Sequence, residues 1–188
     1  YTKSGRSGGK GMRYAMAVNT RKCVGCSDCV VACQTENSVP IGFCRDWIVE
    51  VNNGTYPQIT TEIRSERCNH CDNAPCVRCC PTGASHIIAG GIVLVKKTEC
   101  IGCGACIASC PYDARYPHPS GYVDKCTFCE HRIKNGMLPA CVEVCPTKCL
   151  YFGDLDDPNS DASVVLKKNR YKTLIPEAGT VPQLYFIY

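Results

Sequence analysis

Short segments of alternating apolar and polar residues, rather than long helical repeats, run along this chain. Two such segments, 47–51 (WIVEV) and 58–64 (QITTEIR), lie on either side of the dipeptide Asn53-Gly54. Asn-Gly favours the tight turns that join antiparallel strands. The pattern therefore predicts a β-hairpin that turns at Asn53-Gly54.

A second hairpin and one helix are predicted further along the chain. The segments 85–88 (SHII) and 92–95 (IVLV) flank two glycines and predict another pair of strands. The segment 161–171 predicts a short helix, because Ser160 is placed to cap its first turn. After Pro176 the chain ends in LYFIY, which predicts an extended tail in need of a partner surface.

The chain has few apolar residues for a core of its length. Its 188 residues are 45% hydrophobic, but 19 of them are cysteines, and without these the share is about 35%. Two glycines interrupt the longest apolar run, 87–95, so no run approaches the ~18 residues that cross a membrane. Residues 4–11 are rich in glycine and predict a flexible tail.

Sixteen of the 19 cysteines fall into four runs of four. Two runs have the spacing C-x-x-C-x-x-C-x-x-x-C, and the other two lengthen the middle gap. The segment 17–33 aligns without gaps on 94–110, so the runs form an internal repeat. In chain order the runs are Cys23, Cys26, Cys29 and Cys33; Cys68, Cys71, Cys76 and Cys80; Cys100, Cys103, Cys106 and Cys110; and Cys126, Cys129, Cys141 and Cys145.

This spacing is typical of [4Fe–4S] sites. Three closely spaced thiolates bind one cluster, and the fourth, separated from the third by three residues, reaches a second cluster. Sixteen ligands suffice for four clusters, arranged as two ferredoxin-like modules of two runs each. The spacing leaves open whether neighbouring runs share clusters or the outer and inner runs do so.

Local structure around the runs follows from the same spacing. We expect the first three cysteines to lie in a loop and the last step to form a helical turn. Pro81, Pro111 and Pro146 directly follow a fourth cysteine and would end that turn, whereas the first run has Gln34 there.

Bound clusters also change the charge and the stability expected of the chain. The formal net charge is +4. Sixteen thiolates and four cores of charge about +2 bring it to about −4, so the basic surplus compensates buried negative charge. Metal binding would supply stability that the core lacks, and we expect the apoprotein to be poorly folded.

Other cysteine chemistries fit the chain less well. A zinc-binding structural or nucleic-acid-binding module is the alternative, but zinc takes four ligands and has no use for a third cysteine that follows the second after only two residues. A disulfide scaffold conflicts with the odd number of cysteines, and no C-x-x-C is followed by the histidine that c-type haem requires. No catalytic constellation, phosphate loop or dinucleotide motif is present.

Several residues near the runs carry weaker predictions. Three cysteines outside the runs are predicted to be buried thiols that bind no cluster: Cys44, Cys79 and Cys149. His70 either donates to a cluster sulfur or faces solvent in its loop. Lys125 and Arg67, each directly before a first cysteine, either raise a cluster potential or are exposed. Trp47 is predicted to lie in the core.

The four runs resemble the four-cluster ferredoxin-like iron–sulfur subunits of the dimethyl sulfoxide reductase family. The motifs that carry the resemblance are CVGCSDCVVACQTEN, CNHCDNAPCVRCCPTGAS, CIGCGACIASCPYDARY and KCTFCEHR followed by PACVEVCPT. They look closest to the electron-transfer subunit of polysulfide or thiosulfate reductase. The resemblance spans Met12 to the C-terminus and is far more specific for the family than for the substrate.

This resemblance implies a non-catalytic electron-transfer subunit in a three-part enzyme. The chain would carry electrons between a multi-span quinone-reactive membrane subunit and a catalytic subunit that holds a molybdenum bis-pterin. Tetrathionate, dimethyl sulfoxide or arsenate reduction, formate oxidation and hydrogen uptake stay open as alternatives to polysulfide or thiosulfate. The implied location is peripheral on the membrane, on the periplasmic face, with the cytoplasmic face as the alternative.

The resemblance also implies a ligand assignment in which outer runs pair with each other and inner runs do the same. The first cluster lies next to molybdenum and the fourth on the quinone side. The implied ligand sets are Cys23, Cys26, Cys29 and Cys145 for the first; Cys33, Cys126, Cys129 and Cys141 for the second; Cys68, Cys71, Cys76 and Cys110 for the third; and Cys80, Cys100, Cys103 and Cys106 for the fourth.

The expected fold class is α+β, with two ferredoxin-like modules of the bacterial dicluster type built from short strands and helices around four clusters. The outer module would comprise 12–67 and 111–150, and the inner module 68–110. Residues 151–188 would form a C-terminal helix and an extended tail that binds a partner.

Overall fold

The fold is α+β, as the sequence predicted, and a computed structural model describes residues 11–188. Most of the predicted tail, 4–11, lies outside the described residues. Strands β1 to β10 are Tyr14–Asn19, Asp46–Thr55, Gln58–Arg67, Ser85–Ile87, Val93–Val95, Tyr116–Pro117, Val123–Asp124, Leu150–Asp154, Tyr171–Lys172 and Leu184–Ile187. Helices α1 to α6 are Asp28–Glu36, Pro75–Arg78, Ala105–Ala108, Glu130–Ile133, Ala140–Val144 and Asp161–Lys168.

A central sheet joins the two ends of the chain. Its strand order is β8-β1-β10-β9, in which β1 runs parallel to β10 and antiparallel to β8. Met16 and Val18 on β1 are fully buried, as expected for a strand with neighbours on both edges. The N–H of Asn19 donates to the carbonyl of Cys149 at 2.8 Å. This contact places the start of the first cysteine run beside the end of the fourth.

The first predicted hairpin forms, but its turn lies elsewhere. Strands β2 and β3 pair as far as the last residue of one and the first of the other, which leaves only Tyr56 and Pro57 between them. The predicted turn, Asn53-Gly54, lies within the ladder instead. Proline has no N–H to donate to a strand ladder, so the turn forms around Pro57 and the strands grow longer than predicted.

The second predicted hairpin and the predicted helix are both confirmed. Strands β4 and β5 pair antiparallel, and the N–H of Ile88 donates to the carbonyl of Ile92 at 2.9 Å. At the start of α6 the Ser160 hydroxyl accepts a hydrogen bond from the N–H of Ser163 at 3.2 Å. The helix ends at Lys168, three residues earlier than predicted.

Each cysteine run carries a short helix across its last step, as predicted. The third cysteine is the second residue of a helix in every run, and therefore does not lie in the loop where the sequence placed it: Cys29, Cys76, Cys106 and Cys141. Only α1 extends well past its fourth cysteine, because Gln34 stands where the other runs have proline. None of the helices within residues 11–188 is long and apolar enough to span a membrane.

The C-terminal tail is extended, but the surface that it covers belongs to this chain. Strand β10 lies between β1 and β9, and its residues Leu184, Phe186 and Ile187 are buried. The tail thus packs on the chain's own sheet, and its binding of a partner stays a prediction. An apolar strand such as LYFIY can fill the gap beside β1 as well as it can bind another protein, and its composition does not distinguish the two.

Replacing Phe186 by alanine should lower the free energy of unfolding by about 3–5 kcal/mol, because it leaves a cavity beside β1. The change is measured by denaturant unfolding, followed by the fluorescence of Trp47, the single tryptophan. Tyr188→Ala is the control, since Tyr188 is 45% exposed. Equal unfolding midpoints for the two variants would contradict the burial of the tail.

Candidate iron–sulfur centres

All four cysteine runs begin with the same backbone turn. The residue before the second cysteine has a positive φ in each run: 69° at Gly25, 42° at His70, 68° at Gly102 and 54° at Phe128. Glycine adopts this conformation without steric cost, which explains Gly25 and Gly102. A Cβ at Gly102 would also lie 2.6 Å from the carbonyl oxygen of Gly121. His70 and Phe128 accept the same strained turn, and their rings stack with centroids 3.7 Å apart.

One group of thiols combines the first run with the end of the fourth. Four run cysteines line a single cavity: Cys23, Cys26, Cys29 and Cys145. Cys149, outside the runs, also lines this cavity, and its sulfur lies 3.5 Å from that of Cys145. The cavity therefore receives five cysteines, of which the sequence predicted four as ligands.

The pKa values of the adjacent Cys145 and Cys149 shift in opposite directions. Burial, together with the neighbouring Cys145 sulfur, raises the pKa of Cys149 to about 12. Burial also raises the pKa of Cys145, but the N–H of Cys149 at 3.4 Å and the hydroxyl of Thr147 outweigh it and leave that pKa below its usual value. Cys145 therefore loses its proton more readily and is the better metal ligand, whereas Cys149 suits the role of a neutral neighbour.

A second cavity combines the third run with the last cysteine of the second run. It is lined by Cys80, Cys100, Cys103 and Cys106. Burial raises the pKa of Cys80, but the N–H of Ser85 at 3.4 Å and the hydroxyl of Thr82 outweigh it and lower the pKa overall. The neighbouring Cys79 lies outside this lining, with its sulfur 3.2 Å from the hydroxyl of Ser109.

A third group of thiols, formed by the first and fourth runs, is entirely buried. Burial raises the pKa of Cys33, and the sulfurs of Cys126, Cys141 and Cys129 raise it further, in that order. The side-chain amide nitrogen of Asn37 lies 3.6 Å from the sulfur of Cys33 and 3.8 Å from that of Cys129. These contacts bring together all four cysteines that the resemblance assigned to the second cluster.

The last group consists of three cysteines of the second run and the last cysteine of the third run. Burial raises the pKa of Cys71 to about 12; the Thr180 hydroxyl opposes this shift, and the sulfurs of Cys68, Cys76 and Cys110 add to it. These four cysteines are the set assigned by resemblance to the third cluster. The structure thus collects the sixteen run cysteines into four groups, each with three members from one run and one from another.

The donor set of each group fits a cluster. Within residues 11–188, no three histidine, cysteine or acidic side chains stand close enough to hold a single metal ion. Buried nitrogen atoms without a hydrogen-bond partner lie among these residues: Nε of Arg67, Nε2 of His70, and Nε and Nη1 of Arg115. Cluster sulfurs accept such hydrogen bonds, so four thiolates with nearby orphan donors suit [4Fe–4S].

The structure corrects several of the weaker predictions. Cys44 is exposed rather than buried, because it lies in the loop before β2, and Cys79 is only partly buried. Cys149 is buried, as predicted. His70 is fully buried and accepts a hydrogen bond from the N–H of Val93 at 3.1 Å, so it does not face solvent. Trp47 is partly buried against the core.

Charged residues lie buried among the thiol groups. Arg67 and Lys125 are each only 1% exposed, so the suggestion that they are surface residues is wrong. Arg67 donates to the sulfur of Cys141 at 2.8 Å. Sequence reasoning missed Arg115, which is 5% exposed and donates to the sulfur of Cys76 at 2.9 Å. It lies five residues after the third run, within the segment CIGCGACIASCPYDARY that carries the resemblance, but the cysteine spacing does not mark it.

Comparisons with known proteins agree with this geometry. A family model described as the 4Fe-4S dicluster domain matches residues 59–155. The chain belongs to this 4Fe–4S dicluster family. It is an iron–sulfur electron-transfer subunit that carries [4Fe–4S] clusters, as the sequence predicted, rather than a catalytic subunit.

Relatives that match nearly the whole chain include subunits of respiratory reductases. A tetrathionate reductase subunit of Salmonella typhimurium is 42% identical over 180 residues, 93% of this chain and 72% of that protein. Protein NrfC of Escherichia coli K12 is 46% identical over 182 residues, 93% of this chain and 80% of that protein. The arsenate respiratory reductase iron–sulfur subunit ArrB of Shewanella sp. ANA-3 is 35% identical over 225 residues, 94% of this chain and 96% of that protein.

Cys80→Ser should lose or convert one cluster, whereas Cys79→Ser should keep the full iron content. The reason is that Cys80 lines a thiol cavity and Cys79 contacts Ser109 instead. Iron analysis and electron paramagnetic resonance of the two anaerobically purified variants measure the difference. The reverse pattern would show that the ligand was misidentified.

Proposed function

We propose that this chain conducts electrons through four clusters between a quinone-reactive membrane subunit and a molybdenum bis-pterin catalytic subunit. The observation that carries the proposal is the distribution of exposure over the four thiol groups. Cys26 and Cys103 are exposed and belong to the first and last groups of the proposed series, whereas the thiols of the second group are all buried. A conductor needs accessible ends and an insulated middle, and this chain has both.

The proposed ligand sets are those implied by the resemblance, and the grouping of thiols supports them. The first site takes Cys23, Cys26, Cys29 and Cys145, and the second takes Cys33, Cys126, Cys129 and Cys141. The third takes Cys68, Cys71, Cys76 and Cys110, and the fourth takes Cys80, Cys100, Cys103 and Cys106. When bound, each cluster supplies reversible one-electron chemistry. The chain's own residues hold the clusters in order and bury every thiol of the second site and three of the four thiols of the third.

Contacts between the groups support a linear order from first to fourth. Arg67 interacts with Cys29 of the first group and with Cys141 and Cys126 of the second. Cys68 of the third group is in turn close enough to Cys126 of the second to help raise the pKa of Cys126. At the other end, Arg115 interacts with Cys76 and Cys68 of the third group and with Cys106 of the fourth.

The same pairing underlies a proposed division into two modules. The outer module, 12–67 with 111–150, would hold the first two sites, and the inner module, 68–110, the other two. Pairing of β1 with β8 supports the outer module, because it joins the segments before the first run and after the fourth. The β4–β5 hairpin, which lies between the second and third runs, belongs to the inner module.

Exposed apolar residues stand beside both accessible ends. Val24 and Ile101 occupy equivalent places in the first and third runs and are 61% and 66% exposed. Each is suited to exclude water where a partner subunit docks. Following the resemblance, we propose that the first site faces the molybdenum subunit and the fourth faces the membrane subunit.

The terminal substrate and the membrane side are further parts of the proposal. Polysulfide or thiosulfate is the proposed substrate, and relatives named for tetrathionate, arsenate and selenate reduction support a reductase that acts on inorganic anions. We propose the periplasmic face. Cleavage by protease added to spheroplasts tests that location, and protection of the subunit until lysis would favour the cytoplasmic face.

The anaerobically purified chain should contain about 16 iron atoms, from four clusters of four. Iron and zinc analysis measure this, together with absorbance near 400 nm. Stoichiometric zinc with iron near zero would contradict the proposal and favour the structural module.

Cys103→Ser should separate the two ends of the conductor. In the complete complex we expect substrate reduction driven by quinol to fall strongly, because the fourth site faces the membrane subunit. Reduction driven by a dye that donates directly to the catalytic subunit should persist. Cys26→Ser is the matched variant at the other exposed end, and its block should lie next to the catalytic subunit. If quinol-driven turnover survives Cys103→Ser, the proposed order is wrong.

A further inference from the structure

Buried cations lie between consecutive thiol groups along the whole series. Arg67 donates to Cys141 of the second group at 2.8 Å and interacts with Cys29 of the first. Lys125 lies between the second and third groups, where its charge acts on Cys68 and Cys126. The third such cation, Arg115, lies between the third and fourth groups. All three are 5% exposed or less, so solvent screens their charges weakly.

Arg67 is neutralised by a carboxylate. Its guanidinium lies 3.0 Å from Oδ2 of Asp46, which is itself 2% exposed. The Ser65 hydroxyl donates to the same carboxylate at 2.7 Å, and Arg67 donates to Ser65. Toward the first two groups, the pair therefore presents little net charge. Arg45, which is close to Cys126, is paired in the same way with Asp124, through contacts of 2.8 to 3.0 Å.

Arg115 has no such partner among the described residues. Its Nη2 donates to the sulfur of Cys76 and to the hydroxyl of Ser85, both at 2.9 Å, and neither contact is with a carboxylate. The ion pairs formed within residues 11–188 include none from Arg115, and two of its nitrogen atoms make no hydrogen bond. Its full positive charge therefore faces the third and fourth groups.

We propose that Arg115 raises the reduction potentials of the clusters at the third and fourth sites, whereas the Arg67–Asp46 pair leaves those of the first and second sites nearly unchanged. This inference rests on the ligand sets of the proposed function. One-electron reduction adds one negative charge to a site, and a fixed buried cation stabilises that charge. Because Arg115 contacts both groups, the two potentials rise together, and electrons rest preferentially on this half of the series.

Redox titration of the anaerobically purified holoprotein, followed by electron paramagnetic resonance, tests the proposal without any substrate. Arg115→Gln should shift two of the four midpoint potentials to lower values and leave the other two in place. Arg115→Lys, which keeps the charge, should stay close to wild type. Arg170→Gln is the matched control, since it removes the same charge from an exposed arginine, and it should move none of the four.

The Arg67–Asp46 pair supplies a second and independent measurement. Asp46→Asn leaves Arg67 uncompensated, so it should raise two midpoint potentials, and these should be the two that Arg115→Gln leaves unchanged. The double variant of Asp46→Asn with Arg67→Gln removes both charges and should return those midpoints towards wild type. Asp46→Asn keeps the side-chain shape and tests the part of the proposal that concerns the first and second sites even if Arg115→Gln fails to retain its iron.

Two results would overturn the inference. The first is an Arg115→Gln protein with full iron content and four unchanged midpoints. The second is an Asp46→Asn protein with full iron content in which no midpoint rises. A wild-type protein without iron would instead overturn the proposed ligand sets, so the two failures are distinguishable.

Discussion

The fold depends on thiols that meet from distant parts of the chain. In every group, three cysteines of one run lie close to the last cysteine of another run. The first run and the fourth thereby become inseparable, although more than a hundred residues lie between Cys23 and Cys145. With an apolar share of about 35% apart from cysteine, the core alone supplies little stability. Cluster binding is therefore the main constraint on the fold. The central sheet, which pairs β1 with β8 and β10, also brings the two ends of the chain together.

Burial of so many thiols disfavours the thiolate form that binds metal, and two kinds of contact in the chain compensate for this cost. Burial raises the pKa of thiols such as Cys33, Cys126 and Cys71, so the uncharged form is favoured until metal binds. Backbone N–H groups and threonine hydroxyls compensate at Cys80 and Cys145, the two cysteines that precede a Pro-Thr pair. Buried cations compensate elsewhere. Carboxylates then balance the charge of some of these cations but not of others. Sites with the same four thiolate ligands can therefore differ in reduction potential.

Much of this arrangement could be predicted from the sequence, because metal ligands have strict spacing. The step of three residues between third and fourth cysteines predicts a helical turn, and a helix is found there in all four runs. Glycines at 25 and 102 mark the turn before the second cysteine. His70 and Phe128 make the same turn without that signal, and only the structure shows them to be equivalent.

The remaining features depend on contacts between residues far apart in the chain. The cysteine spacing does not distinguish Arg115 from an exposed arginine, since its role comes from contacts with Cys76 and Ser85, 39 and 30 residues away. The end of the chain likewise carries an apolar strand whose partner the composition cannot identify. In the first hairpin, the turn forms at Pro57 rather than at Asn53-Gly54, because proline has no N–H with which to continue the ladder.

The central claim is that four clusters are each held by cysteines of two runs. Anomalous scattering at the iron edge, from crystals of the anaerobically purified holoprotein, measures this directly. The account predicts four separate iron peaks per chain, each surrounded by three cysteines of one run and the last cysteine of another, with Cys44, Cys79 and Cys149 away from the iron. Fewer than four peaks, or a peak whose four ligands all come from one run, would contradict it.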